Sequence, residues 1–201
     1  MSAGAGSPRL ILASASPRRR ELLREAGYEF VVHPSSVDER DVPPDLGPGD
    51  LAQHLARRKA DDVAGRFVRD VVLAADTVVA QGDLVLGKPE DETDARKMLR
   101  LLGGTVHAVI TAVAVVHRAA AFARHARIVS QVHMRKLSED EIAQYVASRK
   151  WEGKAGGYGI QDPDPFVTRT LGCHTNIVGL PMHTTADFLG QAGISPVAKT
   201  P

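Results

Sequence analysis

The run Val71-Val72-Leu73-Ala74-Ala75 constrains this chain more than any other stretch. Five consecutive apolar residues of this kind read as a strand buried in a core. The run ends at Asp76, continues as Thr77-Val78-Val79-Ala80, and meets Gln81-Gly82-Asp83, a hairpin-like turn into a strand over 84–86. A strand buried in this way needs other layers packed against it, and helices are the usual ones.

The flanking sequence supplies them. Residues 9–13 (RLILA) form a short apolar run that reads as a buried strand, followed by a helix with Ser16 as cap, Pro17 at its first position and Gly27 as its stop. Residues 28–32 read as a second strand. Residues 34–49 hold four prolines and several acids and read as a loop, after which Asp50 caps a helix reaching Gly65. A helix is expected from Asp91 to Leu102, then two long β-rich stretches, 106–116 and 121–134, as an antiparallel pair. Ser138-Glu139-Asp140-Glu141 is a capping box opening a helix to Ser148. Residues 151–164 form a Gly-rich loop, 166–171 and 175–180 read as final strands, and 181–189 as a last helix. Strands alternate with helices early and pair with each other later, the pattern of a mixed-sheet α/β fold.

A chain of 201 residues suits a single domain, expected over 1–201 with flexible tails at 1–7 and 195–201. Lys and Arg number 25 against 24 Asp and Glu, a net charge of +1, which removes the bulk electrostatic case for binding nucleic acid or an anionic membrane. Aromatics are 4% and scattered, so no base-stacking surface is expected. The lone Cys173 excludes an intramolecular disulfide and a multi-cysteine metal cage, and fits a reducing cytoplasm. Apolar runs fall far short of a membrane span, and the first eight residues lack a signal-peptide layout. No metal spacing such as HExxH occurs. His107, His117, His125 and His133 read as structural or surface residues, and Cys173 as a packing residue.

Several clusters carry chemistry. At Ser14–Arg19 a strand feeds a helix whose first turn holds Arg18 and Arg19. Free backbone N–H groups, the positive end of the helix dipole and two guanidinium groups together suit phosphate; a solvated basic face is the alternative. Lys59 falls in the apolar stripe Ala52, Leu55, Ala56, Val63, so its stem reaches the edge or its ammonium meets an anion in a pocket. Asp76 at the end of an apolar strand, with Thr77 beside it, suits an active site or a plain strand-end carboxylate. Asp38-Glu39 could bring a second carboxylate, and two carboxylates with phosphate oxygens suit Mg²⁺. Gly87-Lys88-Pro89 sets another lysine before a helix. The loop with Lys154, Tyr158 and Gln161 is rich in glycines, and Gln161 could pair with a base edge. Neither a Walker A motif nor a GxGxxG fingerprint is present.

These pieces in this order resemble the Maf family of nucleoside triphosphate pyrophosphatases, once described as septum-formation inhibitors. The resemblance runs through LASASPRR at 12–19, the Asp38-Glu39 pair, RRKA around Lys59, AADTVV at 74–79 and GKP at 87–89. It continues through HAVIT at 107–111, KAGGYGIQ at 154–161 and NIVGLP at 176–181. It implies an α/β fold with an elongated mixed sheet flanked by helices, two lobes and a central cleft, often as a homodimer. It implies hydrolysis of the α–β phosphate bond of a nucleoside triphosphate, with a divalent metal cation such as Mg²⁺ or Mn²⁺. Asp76 would be the general base, and Glu39 and Asp76 would hold the metal. Lys59, Lys88 and Lys154 would neutralise the triphosphate, Ser14, Arg18 and Arg19 would bind phosphates, and Thr77 and Gln161 would lie at the nucleotide. Asp76-Thr77-Val78 and the YGIQ loop are similar to the branch acting on dTTP and UTP; the alternatives are the 7-methyl-GTP branch and a non-catalytic nucleotide-binding regulator of cell division. The chain departs from the family pattern at Thr105, at Arg149-Lys150-Trp151 and at Asp162, which follows Gln161 where a glycine is common. Asp162 and Trp151 are expected to flank the base site.

Overall fold

A computed structural model describes residues 7–162 and 166–197. In chain order the elements are β1 (Leu10–Leu12), α1 (Pro17–Glu25), β2 (Val31–Val32), α2 (Pro48–Ala64), β3 (Val71–Gln81), β4 (Leu84–Leu86) and α3 (Glu92–Leu102). There follow β5 (Val106–His117), β6 (Phe122–Met134), α4 (Glu139–Ala147), β7 (Val167–Leu171), α5 (His174–Val178) and α6 (Met182–Gln191). One seven-stranded mixed sheet runs β2-β1-β3-β5-β6-β7, with β4 also on β3. The first three strands are parallel and the remaining pairings antiparallel.

The central strand is β3, and its alternation sorts the core. Val72, Ala74 and Val78 face α2, where Ala52, Ala56, Ala60 and Ala64 let the helix approach the sheet closely. Val71, Leu73 and Ala75 point the other way, into a cluster with Leu23, Leu180 and Leu189. A third cluster, around Leu99, Leu102, Ile142 and Trp151, closes the far lobe under α3 and α4. Ser138 accepts from the Glu141 amide and Glu141 answers on the Ser138 amide, so the expected capping box is present.

The topology leaves a window in the sheet. Strand β5 covers one edge of β3 from Val72 to Ala80. On the other edge β1 reaches only Leu73, while β4 begins at Val79. Residues 74–78 therefore have no strand beside them on that edge, and two lobes face each other across the gap.

Several expectations change in detail. Asp76 does not end a strand; it sits in the middle of β3, opposite Ala112, and it is β1 that ends, opposite Leu73. Residues 175–180 are not a strand, because α5 occupies most of them, with Asn176 and Val178 buried and Gly179 at φ +120° ending the turn. A short apolar run is ambiguous by periodicity, and here Gly179 supplies a conformation a strand does not use. Helix α2 starts at Pro48 with Gly47 as cap, and Asp50 lies in its first turn, where a carboxylate suits the dipole. The second strand shrinks to two residues. Of the expected tails, residues 1–6 and 198–201 lie outside the described residues, while Val197 is tied down by its amide to the Gly27 carbonyl at 2.8 Å. Among the described residues no helix is long and apolar enough to cross a membrane.

Candidate active site

The window opens into a cleft of about 770 Å³, lined by Ser14, Arg18, Arg19, Glu39, Lys59, Asp76, Thr77, Lys88, Lys154 and Gln161. All ten residues singled out from the sequence meet there, from both faces of the sheet. Successive residues of a strand point to opposite faces. Asp76 thus turns toward α2 and meets Lys59, while Thr77 turns the other way and meets Arg19.

On the α2 side Lys59 settles its own ambiguity. Its ammonium donates to Asp76 Oδ1 at 2.5 Å and Glu39 Oε1 at 2.7 Å, and its side chain is 9% exposed. Lys88 reaches the other oxygen of Glu39 at 3.3 Å. Burial alone would raise the Glu39 carboxyl, but the ammonium groups of Lys59 and Lys88 hold it below its ordinary value. Asp76 Oδ2 has no hydrogen-bond partner among the described residues.

On the other side the strand-to-helix turn organises two arginines. Ser16 caps α1 without a side-chain hydrogen bond, which leaves the first-turn amides open to the cleft. Ser14 Oγ accepts from the Ser16 amide at 3.2 Å and from Arg19 Nη1 at 3.1 Å, so its own proton is free to donate. Arg19 also donates from Nε to the Gly179 carbonyl at 2.8 Å and from Nη2 to Thr77 Oγ1 at 3.1 Å. Burial lowers the Arg19 guanidinium, opposed by Asp76 and Glu39 and reinforced by Arg18. Arg18 makes no hydrogen bond or ion pair among the described residues; burial lowers it too, and Asp162 opposes the shift.

The third wall is the Gly-rich loop. The Gly156 amide bonds to the Gly87 carbonyl at 2.9 Å, joining this loop to the segment that carries Lys88. Gly156 and Gly157 have φ of +71° and +72°, and a Cβ on either would stand 3.1 Å from Val79 or Pro89, so the close approach requires glycine. Lys154 does not stand free for a phosphate: it pairs with Asp162 at 2.5 Å. Asp162 also accepts from the Tyr145 hydroxyl at 2.5 Å and the Gly159 amide at 3.0 Å. Tyr145 is raised, first by burial and then by this carboxylate. Gln161 is exposed and makes no side-chain hydrogen bond among the described residues. Tyr158 is buried against His107, whose Nε2 lies 2.6 Å from its hydroxyl.

A family model described as Maf-like protein matches residues 9–192. The chain belongs to the Maf-like family. Among its relatives, a dTTP/UTP pyrophosphatase of Hyphomonas neptunium is 48% identical over 192 residues, covering 94% of this chain and 97% of its own. A dTTP/UTP pyrophosphatase of Anaeromyxobacter dehalogenans is 45% identical over 93% of this chain and 95% of its own. One from Rhodopseudomonas palustris is 44% identical over 94% of each. The solved Ham1 protein of Staphylococcus aureus is similar over 63% of this chain and 71% of its own, at 12% identity and a TM-score of 0.43, too low to bear on activity.

In this Maf-like chain, among the described residues, no three His, Cys, Asp or Glu side chains gather as a protein-only metal cage. The donor chemistry nonetheless fits a hard divalent cation. Two carboxylates already converge on one ammonium, and Mg²⁺ usually takes one or two carboxylates plus substrate phosphates. Of the departures from the family pattern, Trp151 does not flank the cleft. It is buried in the far-lobe core, with its indole N–H on the Val146 carbonyl. Asp162 does line the cleft. Sequence reasoning gave no part to Thr111 and Asn176, which lie directly behind Thr77. The available signal was their place in the HAVIT and NIVGLP segments; the register that sets Thr111 opposite Thr77 came only with the fold.

Proposed function

We propose that this protein is a nucleoside triphosphate pyrophosphatase acting on dTTP and UTP, splitting the α–β anhydride with water to give the monophosphate and pyrophosphate. The observation that carries the reading is the pairing of opposites across the window: Asp76, Lys59 and Glu39 on one side, Ser14, Arg18 and Arg19 on the other. The relatives of the same name, similar over nearly the whole chain, support the choice of substrate.

Arg18, the two unused N–H groups of Arg19, the Ser14 hydroxyl and the amides of α1 bind the phosphates. Their attraction grows as charge gathers on the departing pyrophosphate, which favours the transition state over the ground state. Glu39 and Asp76 would hold a divalent cation, which offsets phosphate charge when bound. Asp76 accepts the proton of the attacking water on its unpaired Oδ2, while Lys59 fixes Oδ1. Lys88 stands at the mouth, Gln161 lies along the nucleotide, and Thr77 lines the cleft while bonded to Arg19.

The test is pyrophosphate release by purified protein from dTTP and UTP with Mg²⁺ or Mn²⁺, beside 5-methyl-UTP and 7-methyl-GTP. Turnover of the first two supports the proposal; binding of nucleotide without release overturns it. Asp76→Asn should lower kcat by about 10³-fold, the usual scale of general-base loss, with thermal unfolding still cooperative. Full activity in that variant removes the role given to Asp76.

A further inference from the structure

We infer that Thr111 and Asn176 form the fixed end of a one-directional hydrogen-bond relay that positions the Arg19 guanidinium, which makes Thr111 a positioning residue for the reaction. The inference rests on the pyrophosphatase reading only for what Arg19 does to substrate.

The direction follows from counting protons. Thr111 Oγ1 lies 2.9 Å from the Asn176 main-chain carbonyl, which can only accept, so Thr111 spends its single proton there. At the 2.9 Å contact between Thr111 Oγ1 and Thr77 Oγ1, Thr111 must therefore accept and Thr77 donate. Thr77 then has no proton left and turns a lone pair toward Arg19 Nη2, a group that can only donate, at 3.1 Å. Each hydroxyl thus has one possible role, and the order runs from Arg19 through Thr77 and Thr111 to the Asn176 carbonyl.

The far end is anchored by a side chain held by three hydrogen bonds, with both its N–H donors in use. Asn176 Oδ1 accepts from the Thr111 amide at 3.1 Å, and Nδ2 donates to the Val109 carbonyl at 3.0 Å and Ser130 Oγ at 2.9 Å. Ser130 Oγ in turn donates to the Cys173 carbonyl. Thr111 and Asn176 are both fully buried, so water does not compete for these bonds. Just past α5, Gly179 takes the Nε proton of Arg19. Three of the five guanidinium N–H groups are committed to protein and two remain for a phosphate, in the planar geometry that suits a bidentate contact. Thr77 consequently holds Arg19 rather than donating to nucleotide, which alters its expected part.

Two readouts on the whole protein test this. In ¹⁵N-labelled protein the Arg19 Nη2–H held by Thr77 should exchange slowly with water, and in Thr111→Val about ten-fold faster or more, because the last hydroxyl of the relay is gone. Thr111→Ser, which restores that hydroxyl, should stay within about three-fold of the parent. With UTP and Mg²⁺, Thr111→Val should lose about ten-fold in kcat/KM, chiefly in kcat, and Thr111→Ser should recover it. Thr77→Val should lose a similar amount, and the double variant about as much as either single, since both act through one guanidinium. Unchanged Arg19 exchange in Thr111→Val overturns the inference, and so do losses that multiply in the double variant. If UTP is not hydrolysed, the pyrophosphatase reading fails while the exchange measurement still decides the relay. If Thr111→Val does not fold, Thr77→Val cuts the same relay from its open end, and unchanged Arg19 exchange there overturns it.

Discussion

Lys59 stands between two carboxylates in a cleft wall, and that placement gives it two jobs. It keeps Asp76 and Glu39 from repelling each other, and it keeps them together where a divalent cation would be wanted. Removing one partner from a buried pair leaves charge without compensation. Lys59→Met should therefore cost about 3 kcal/mol in urea unfolding at neutral pH. Millimolar Mg²⁺ should restore more stability to that variant than to the parent, since the cation takes up the uncompensated carboxylates. Asp162 is the other residue whose partners define it. Asp162→Asn weakens the bond to Lys154 and the short contact with Tyr145, and should cost about 2 kcal/mol by the same measurement. Helical spacing placed Lys59 on the inner face from sequence alone, but spacing says nothing about what stands opposite. The choice between a snorkelling stem and a pocket ammonium needed β3 to bring Asp76 across, and that is a tertiary fact. Lys154 shows the same limit: its place in the cleft was legible, and its pairing with Asp162 was not.

Strand β5 carries a buried titratable group, and its pH behaviour belongs to the element rather than to the site. His107 is 2% exposed, and burial, helped by His133, lowers it to about 4 from 6.5. Above pH 6.5 both the folded and the unfolded chain hold a neutral ring. As pH falls from 6.5 toward 4, the unfolded chain gains a proton that the buried ring refuses, and stability drops. The full effect is about 3 kcal/mol. Urea midpoints at pH 7.5 and 4.5 should differ less in His107→Gln than in the parent. At α4 the capping box makes a smaller claim: Ser138→Ala should cost about 1 kcal/mol without changing turnover. The elements with strong punctuation were the readable ones. Ser138 and the Pro17 start act through local chemistry and stand where expected, while Asp91, expected as the first residue of α3, is its cap. Residues 175–180 misread as a strand because their decisive feature is a left-handed turn at Gly179 and a buried amide on Asn176. Asp76 misread as a strand end because the break in the sheet lies at the end of β1, 64 residues away in the chain.

The two lobes meet the ligand together, so occupancy should act on the whole fold. A triphosphate held by Arg18 and Arg19 on one side and by the Lys59–Asp76–Glu39 group on the other binds the folded state alone. At a hundred-fold excess over its Kd it should stabilise by about 2.7 kcal/mol, read as a rise in Tm with Asp76→Asn protein and UTP, where turnover is suppressed. The open stretch at residues 74–78 has a consequence of its own. An aperture in a sheet exists only while the strand that would fill it stops short. Here β1 ends at Leu12, and past it the Ser16 amide is taken up by the Ser14 hydroxyl while Pro17 has no N–H, so the chain cannot carry a ladder onward. Ser14, Ser16 and Pro17 therefore act as a doorstop: beside any contact with a ligand, they keep further strand out of the opening.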